Sequence, residues 1–302
     1  MKAGAISCSP DVVSAGRLRT ADFVELTKPR IALLALATVV VGAFLASGGA
    51  PAPGLLLHVL LGVAFVAGGA SALNQLFEHD VDRLMQRTCH RPLPAGRLKP
   101  SEVGWFGAAL GITGAVYLAV TVNSLTALLA VFTFCTYVFL YTPLKRRTSL
   151  NTVVGAVSGA LPPVLGWTAV RGTLDIEAGA LFLIVFLWQF PHFLAIAWIH
   201  RADYSRAGLK MLPTLDACGR LTGRQMVVYS LALLPVSLLP SIMGLVGVYY
   251  FFGALILGTT LLVSAIAFSI FDKNVQARQL LRVSLIYLPG LLALLMFDLP
   301  SW

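Results

Sequence analysis

The amino-acid sequence predicts an all-α membrane protein whose chain crosses the bilayer many times. Of its 302 residues, 58% are hydrophobic and only 12% are charged, and the mean hydropathy is +0.84. This composition is typical of helices that are surrounded by lipid. The net charge of +9 could indicate a nucleic-acid partner. In so apolar a chain, however, basic loops set the membrane topology, and we expect no nucleic acid to bind.

Nine apolar windows are long enough to cross a hydrocarbon core, which takes about 20 residues of helix. They lie at residues 31–49, 54–77, 103–121, 124–143, 150–170, 177–199, 225–244, 248–270 and 279–297. We therefore predict one transmembrane domain of nine helices over residues 31–297. It would follow a cytoplasmic amino-terminal segment, residues 1–30, and precede a short tail, residues 298–302.

The basic residues fall almost entirely on one side of these spans. Of 22 Lys and Arg residues, 21 lie before the first span or around the loops that follow spans two, four, six and eight, and only Arg171 lies on the other side. By the positive-inside rule, the amino terminus is cytoplasmic and Trp302 is periplasmic. The expected location is the bacterial inner membrane. A mitochondrial inner membrane, with the amino terminus in the matrix, is the alternative.

Three oxygen-bearing side chains form a row at the end of the second span. Asn74, Glu78 and Asp82 are spaced four residues apart, so on an α-helix they lie on one face. Amide and carboxylate oxygens in such a row are suitable ligands for Mg²⁺ together with a phosphate group. Most acidic clusters are simply solvated helix ends. We favour a metal site here because the row continues an apolar span and is followed at once by three arginines.

Basic residues at the same ends of other spans could complete a diphosphate site. Any one of them is more simply explained as a topology-setting charge, and only the nearby carboxylates make the group informative. Asp80 lies off the face of the row, so we expect it to flank the site and to pair with Arg83 or Arg87. The candidate diphosphate-binding residues are Lys28, Arg87, Arg91, Lys145 and Arg146.

A second set of polar residues follows span six. Steps of three and four residues connect Gln189, His192, Ile196, His200 and Asp203, which predicts one polar face directed into the protein. A lone histidine such as His192 is usually a packing residue in an apolar helix. The charge pattern repeats after four spans, which predicts two related halves of the chain. In that arrangement Asp203 would face the row on span two across a central cavity.

A cation-coupled transporter is the main alternative of another class. Such carriers place acidic residues near the bilayer midplane, often in broken helices. In this chain the acids lie at the cytoplasmic ends of spans, which favours a membrane enzyme that handles a diphosphate. Prolines that bend or interrupt spans are also typical of transporters, so the transporter stays an alternative. These prolines are Pro162, Pro163, Pro235 and Pro240.

The row Asn74-x-x-x-Glu78-x-x-x-Asp82 resembles the first aspartate-rich motif of the UbiA superfamily of intramembrane prenyltransferases. The similarity extends from about residue 22 to the end of span nine. Three strings resemble the haem-directed branch of that superfamily. They are Leu26-Thr27-Lys28-Pro29-Arg30, Tyr141-Thr142-Pro143-Leu144-Lys145-Arg146, and Asp203-Tyr204 leading to Met211-Leu212-Pro213.

This resemblance implies a nine-helix bundle around a central cavity and a specific reaction. A farnesyl group would pass from farnesyl diphosphate to a vinyl group of protohaem IX, with addition of water, giving haem O and diphosphate. Another aromatic acceptor, such as 4-hydroxybenzoate, is the alternative within the superfamily. A haem A synthase or a terminal oxidase assembly factor is the protein partner that such a reaction suggests.

The resemblance also implies roles for individual residues. Mg²⁺ would be the cofactor, Tyr141 and Tyr204 could stabilise the allylic cation, and His192 and, more weakly, His200 are candidate haem ligands. Many members of the superfamily have an acid four residues before the counterpart of Asp203, where this chain has Ile199. The predicted metal ligands are Asn74, Glu78, Asp82 and Asp203.

Overall fold

The computed structural model describes residues 19–299, and over that range all of its regular elements are helices. Nine of these described helices are long and apolar enough to cross a membrane, which confirms the predicted all-α polytopic fold. Residues 1–18 and 300–302 lie outside the described range, and with them most of the predicted cytoplasmic segment and Trp302. In chain order the helices are α1 (Pro29–Ser47), α2 (Pro53–Asp82), α3 (Pro100–Thr121), α4 (Ser124–Leu144), α5 (Asn151–Arg171), α6 (Ile176–Ile199), α7 (Arg220–Ile242), α8 (Val248–Ile270) and α9 (Lys273–Phe297).

Helix α2 continues beyond the apolar window that predicted the span, as the helical spacing of the polar row requires. The apolar window ends near residue 77, but the helix contains 30 residues and continues to Asp82. No Gly or Pro interrupts its last turns, so nothing stops the helix where the polar row begins. Thirty residues span about 45 Å, whereas the hydrocarbon core is about 30 Å thick. The polar row therefore lies at the end of a helix that extends beyond the apolar layer.

Helices α4 and α5 depart from regular α geometry. In α4 a π turn occupies Thr136–Tyr141, just before Pro143. In α5 the chain forms two helices, Asn151–Ala160 and Pro162–Arg171. Proline has no N–H group and cannot continue an α-helical ladder from the residues before it, so the break falls at Pro162. π turns often occur at functional sites, which directs attention to the carboxyl-terminal end of α4.

The bundle is closed by contacts between its first and last helices. Helix α6 packs against α5, α7 and α9, and α9 also contacts α1. Helix α1 packs along the second half of α5, where Gly42 and Gly166 allow the two backbones to approach closely. A Cβ atom added to Gly42 would lie 2.0 Å from the Pro163 carbonyl oxygen. These glycines therefore set the spacing between the two helices.

A short helix, Arg19–Leu26, holds the chain before α1 against the end of α2. Arg97 in the α2–α3 loop donates to Asp22 and to Glu25 of this helix, at 2.9 Å in each case. Gln75 on α2 donates through Nε2 to the Leu26 carbonyl oxygen, also at 2.9 Å. The segment that carries Lys28 is thereby fixed next to the polar row.

Candidate active site

The three residues of the predicted row do lie on one face of α2, and they are buried. Asn74, Glu78 and Asp82 are 1%, 9% and 0% exposed. Burying two carboxylates is costly unless cations or strong hydrogen-bond donors lie beside them. A solvated acidic helix end, the ordinary alternative, does not fit this burial.

Each residue of the row contacts one cation from a different part of the chain. Lys28 Nζ donates to Asn74 Oδ1 at 3.0 Å. Lys145 Nζ lies 2.7 Å from Glu78 Oε1, and Arg91 Nη1 lies 2.7 Å from Asp82 Oδ2. Lys28 precedes α1, Arg91 lies in the α2–α3 loop and Lys145 follows α4. We refer to the three oxygen-bearing residues as the polar row, or simply the row, and to all six residues together as the ion-pair row.

Local conformation directs the two lysines into the row. Lys28 has φ 50° and ψ 59°, and it is the only non-glycine residue with positive φ in the described part of the chain. This left-handed conformation, which side chains rarely adopt, turns the chain between the short amino-terminal helix and Pro29. Lys145 follows the π turn, and its Nζ lies 4.4 Å from the centroid of the Tyr141 ring. A cation over a tyrosine ring is electrostatically favourable.

The two lysines differ in how firmly they hold a proton. Burial, followed by the nearby Arg91, lowers the pKa of Lys28 to about 7. Burial would also lower the pKa of Lys145, but the Glu78 carboxylate beside it raises that pKa above its usual range. Lys145 therefore stays charged, whereas Lys28 loses its proton more readily until an anion lies next to it.

One carboxylate oxygen in the row has no protein partner. Asp82 Oδ2 contacts Arg91, but the buried Asp82 Oδ1 has no hydrogen-bond partner in the structure. Buried carboxylate oxygens are normally satisfied, so an orphaned one indicates a position for a ligand. Together with the oxygens of Asn74 and Glu78, it forms a set of hard donors of the kind that Mg²⁺ binds.

Asp203 lies in the segment after α6, on the short helix Arg201–Arg206, and forms an ion pair with Arg206. Within residues 19–299, no three His, Cys, Asp or Glu side chains converge in one metal-binding group, so Asp203 does not complete such a group with Glu78 and Asp82. Its role as a metal ligand stays a prediction. The segment itself does reach α2, because Leu209 and Met211 pack with Val81 and Met85.

The predicted polar face of α6 is buried, and its residues contact two different neighbouring helices. Gln189 donates to the Ala156 carbonyl oxygen of α5 at 3.1 Å, whereas His192 Nδ1 lies 2.9 Å from the Ser284 hydroxyl of α9. The His192 ring also stacks on Trp188, with centroids 4.8 Å apart. His200 ends α6, and partial burial together with the Arg87 charge lowers its pKa.

The other predicted residues lie near the row with different degrees of exposure. Arg87 is exposed and contacts the Tyr204 hydroxyl at 3.4 Å. Arg146 is exposed, because the chain turns after α4 and directs Lys145 inward and the next residue outward. Asp80 is exposed and lies 3.1 Å from His79 Nε2, instead of pairing with Arg83 or Arg87 as expected.

Sequence reasoning missed two residues at this site. Thr142 accepts a hydrogen bond from Asn74 Nδ2 at 3.0 Å, and its own hydroxyl donates to the Tyr137 carbonyl oxygen at 2.9 Å. Tyr137 lies one turn deeper in α4 and packs near Tyr141, with ring centroids 5.3 Å apart. Pro143, inside an apolar span, was the available signal that α4 is irregular here.

Comparison with known proteins identifies relatives over nearly the whole chain. The sequence model of the UbiA prenyltransferase family matches residues 35–286. Protoheme IX farnesyltransferase of Solibacter usitatus (strain Ellin6076) is 45% identical over 292 residues, which cover 93% of this chain and 99% of that protein. The protein of the same name from Myxococcus xanthus (strain DK1622) is 43% identical, over 92% of this chain and 94% of the relative.

Solved structures resemble the fold. A structure of digeranylgeranylglyceryl phosphate synthase superposes with a TM-score of 0.79 at 18% identity, covering 93% of this chain and 98% of that one. A UbiA homolog from Archaeoglobus fulgidus bound to GPP and Mg²⁺ has a TM-score of 0.65 at 15% identity, covering 91% of this chain and 99% of that one. At these identities the likeness shows the shared fold.

Proposed function

The chain belongs to the UbiA prenyltransferase family, and from this premise we infer that it transfers a farnesyl group from farnesyl diphosphate to a vinyl group of protohaem IX. Water adds to the same vinyl group, so the products are haem O and diphosphate. The acceptor is inferred from relatives named protoheme IX farnesyltransferase that align over more than nine-tenths of the chain. The observation that carries the chemistry is the ion-pair row, a buried set of oxygen ligands with a cation on each member.

We propose Mg²⁺ as the cofactor, held by Asn74, Glu78 and Asp82. These side chains fit a metal because their oxygens share one buried face and Asp82 Oδ1 has no other partner. Asp203 is proposed as a further ligand. When bound, Mg²⁺ neutralises charge that builds on the diphosphate as the allylic C–O bond breaks. The Archaeoglobus fulgidus homolog that binds GPP and Mg²⁺ shares the fold and supports this proposal.

Lys28, Arg91 and Lys145 are proposed to bind the diphosphate. They already lie beside the row, at 3.0 Å and 2.7 Å from its oxygens, so the incoming anion needs no distant group to be recruited. In a buried site with little water, such preorganised donors stabilise developing negative charge more strongly than they would in water. Arg87 and Arg146 are exposed and would act at the mouth of the site.

After the C–O bond breaks, the farnesyl cation must meet the acceptor before water does. Tyr141 lies next to the row and Tyr204 contacts Arg87, so both proposed cation-stabilising rings are close to the diphosphate site. For the haem, we propose His192 as an axial ligand through Nε2, because its Nδ1 is engaged by Ser284. His200 is the weaker candidate, near Arg87 and Asp203.

We further propose that the site faces the cytoplasm in a bacterial inner membrane, with a cytoplasmic amino terminus and a periplasmic carboxyl terminus. Of the 22 Lys and Arg residues, 21 lie on the side of the spans that carries the amino terminus, and the positive-inside rule places that side in the cytoplasm. A haem A synthase or a terminal oxidase assembly factor is the proposed partner that receives the product. Alkaline phosphatase and green fluorescent protein fusions at the two ends of the chain would test the orientation.

The test of function is a purified enzyme given labelled farnesyl diphosphate and Mg²⁺ with either haem or 4-hydroxybenzoate. We expect a labelled haem whose mass has increased by one farnesyl group and one hydroxyl group. Label on 4-hydroxybenzoate would indicate the other acceptor class, and no diphosphate release with either acceptor would refute the prenyltransferase assignment. Asp82→Ala should be inactive, whereas Asp80→Ala, which removes an exposed acid on the same helix, should be active.

A further inference from the structure

Thr142 lies directly after the π turn of α4 and contacts the ion-pair row. Its hydroxyl oxygen is 3.0 Å from Asn74 Nδ2 and 2.9 Å from the Tyr137 carbonyl oxygen. At the other end of the Asn74 amide, Oδ1 is 3.0 Å from Lys28 Nζ. Asn74 and Thr142 are 1% and 4% exposed, so solvent hardly competes for these contacts.

These contacts allow one arrangement of hydrogen-bond donors and acceptors. A carbonyl oxygen cannot donate, so the Thr142 hydroxyl must give its single proton to Tyr137. Its oxygen can then only accept from Asn74, which must present its NH₂ group. The Asn74 carbonyl oxygen consequently faces the opposite side, where it accepts from Lys28 Nζ.

We propose that Thr142 is a positioning residue, which holds the Asn74 amide so that its oxygen faces the metal; the inference rests on the proposed function. The two ends of an asparagine amide are similar in shape, but only the oxygen can bind Mg²⁺. Lys28 favours the same orientation, but its ammonium group is one of the groups that bind the diphosphate. Once the diphosphate is bound, Thr142 is the contact that still fixes the amide.

The π turn gives Thr142 its acceptor. The Thr142 N–H group also donates to the Tyr137 carbonyl oxygen, five residues earlier, so backbone and hydroxyl share one acceptor. An α-helix would bring the carbonyl oxygen four residues earlier to that N–H group. The wider turn therefore places the Tyr137 carbonyl oxygen where it accepts the proton of the Thr142 hydroxyl. The hydroxyl oxygen is then free to accept from the Asn74 amide.

Metal binding without turnover tests this role. The probe is Mn²⁺, followed by electron paramagnetic resonance in the presence of inorganic diphosphate. Thr142→Val removes the hydroxyl but keeps the side-chain shape, and we expect the Mn²⁺ dissociation constant to rise at least about tenfold, since losing a group that orients a metal ligand costs about 10- to 100-fold in affinity. Thr142→Ser keeps the hydroxyl and should bind Mn²⁺ as the unmodified enzyme does.

An Asn74→Asp background separates orientation from folding. A carboxylate offers an oxygen at both ends, so it needs no partner to choose between them. Adding Thr142→Val to Asn74→Asp should therefore change the Mn²⁺ dissociation constant little. A loss of the same size in both backgrounds would show that Thr142 only supports the fold, and this would overturn the proposal.

Unchanged Mn²⁺ binding in the Thr142→Val enzyme would also overturn the proposal. If that variant is not recovered folded, Thr142→Ala carries the same test, because alanine also lacks the hydroxyl. Failure of the unmodified enzyme to bind Mn²⁺ with diphosphate would instead refute the proposed function. The two failures are therefore distinguishable.

Discussion

The ion pair between Lys145 and Glu78 gives a prediction whose size follows from the structure. The two charged atoms are 2.7 Å apart, and the side chains are 15% and 12% exposed. With an effective dielectric constant of about 20, their attraction is about 6 kcal/mol, part of which offsets the cost of burying both charges. Lys145→Met would leave Glu78 buried without its cation, which typically costs about 3–5 kcal/mol. For a chain of this size we expect the melting temperature to fall by roughly 6–10 °C.

Thermal unfolding of purified variants in detergent, followed by tryptophan fluorescence, measures this effect. The double variant Glu78→Gln with Lys145→Met buries no unpaired charge and should recover most of the lost stability. Arg147→Met is the matched control, because it removes an exposed cation two residues away. If the Lys145→Met enzyme has the same melting temperature as the Arg147→Met control, the stabilising role of the buried ion pair is refuted. The single variant Lys145→Met and the double variant should both be inactive, since the diphosphate loses one of its three cations.

Three further predictions concern the metal, the helix packing and the haem. Removing divalent metal with EDTA should stop turnover, and Mg²⁺ with inorganic diphosphate should raise the melting temperature of the unmodified enzyme but not of Asp82→Ala. Gly166→Ala should lower the melting temperature, because its Cβ would lie 2.0 Å from the Val39 carbonyl oxygen; Gly179→Ala, with nothing within 4 Å, should not. His192→Ala should weaken haem binding, read from the Soret band, more than diphosphate binding, and equal losses would indicate a packing role.

Hydropathy and spacing were sufficient to predict nine membrane-spanning helices within the described residues and the shared face of the polar row on α2. Nine apolar windows gave nine spans, because a helix must be apolar over a full bilayer thickness and this requirement leaves a clear signal. The four-residue spacing placed Asn74, Glu78 and Asp82 on one buried face, as the structure confirms. The apolar window ends before α2 does because hydropathy falls where the polar row begins, and the four-residue spacing of the row indicates that the helix continues.

The contacts within the site could not be predicted from the sequence. Pairing each residue of the row with its own cation depends on the left-handed turn at Lys28 and on the π turn before Lys145, and neither leaves a periodic signal. Adjacent basic residues give the same signal in sequence, yet Lys145 is inside and Arg146 is exposed. The hydrogen-bond partners of the polar face of α6 could not be predicted either, because periodicity does not tell which neighbouring helix will bond a polar group.

An experimental structure with Mg²⁺ and a non-reactive farnesyl diphosphate analogue would show whether the ion-pair row binds a metal diphosphate. We predict that the metal contacts Asp82 Oδ1, the oxygen that has no protein partner, and that Lys28, Arg91 and Lys145 contact the diphosphate. A diphosphate bound elsewhere, with Lys28, Arg91 and Lys145 still on the oxygens of the polar row, would refute this binding site.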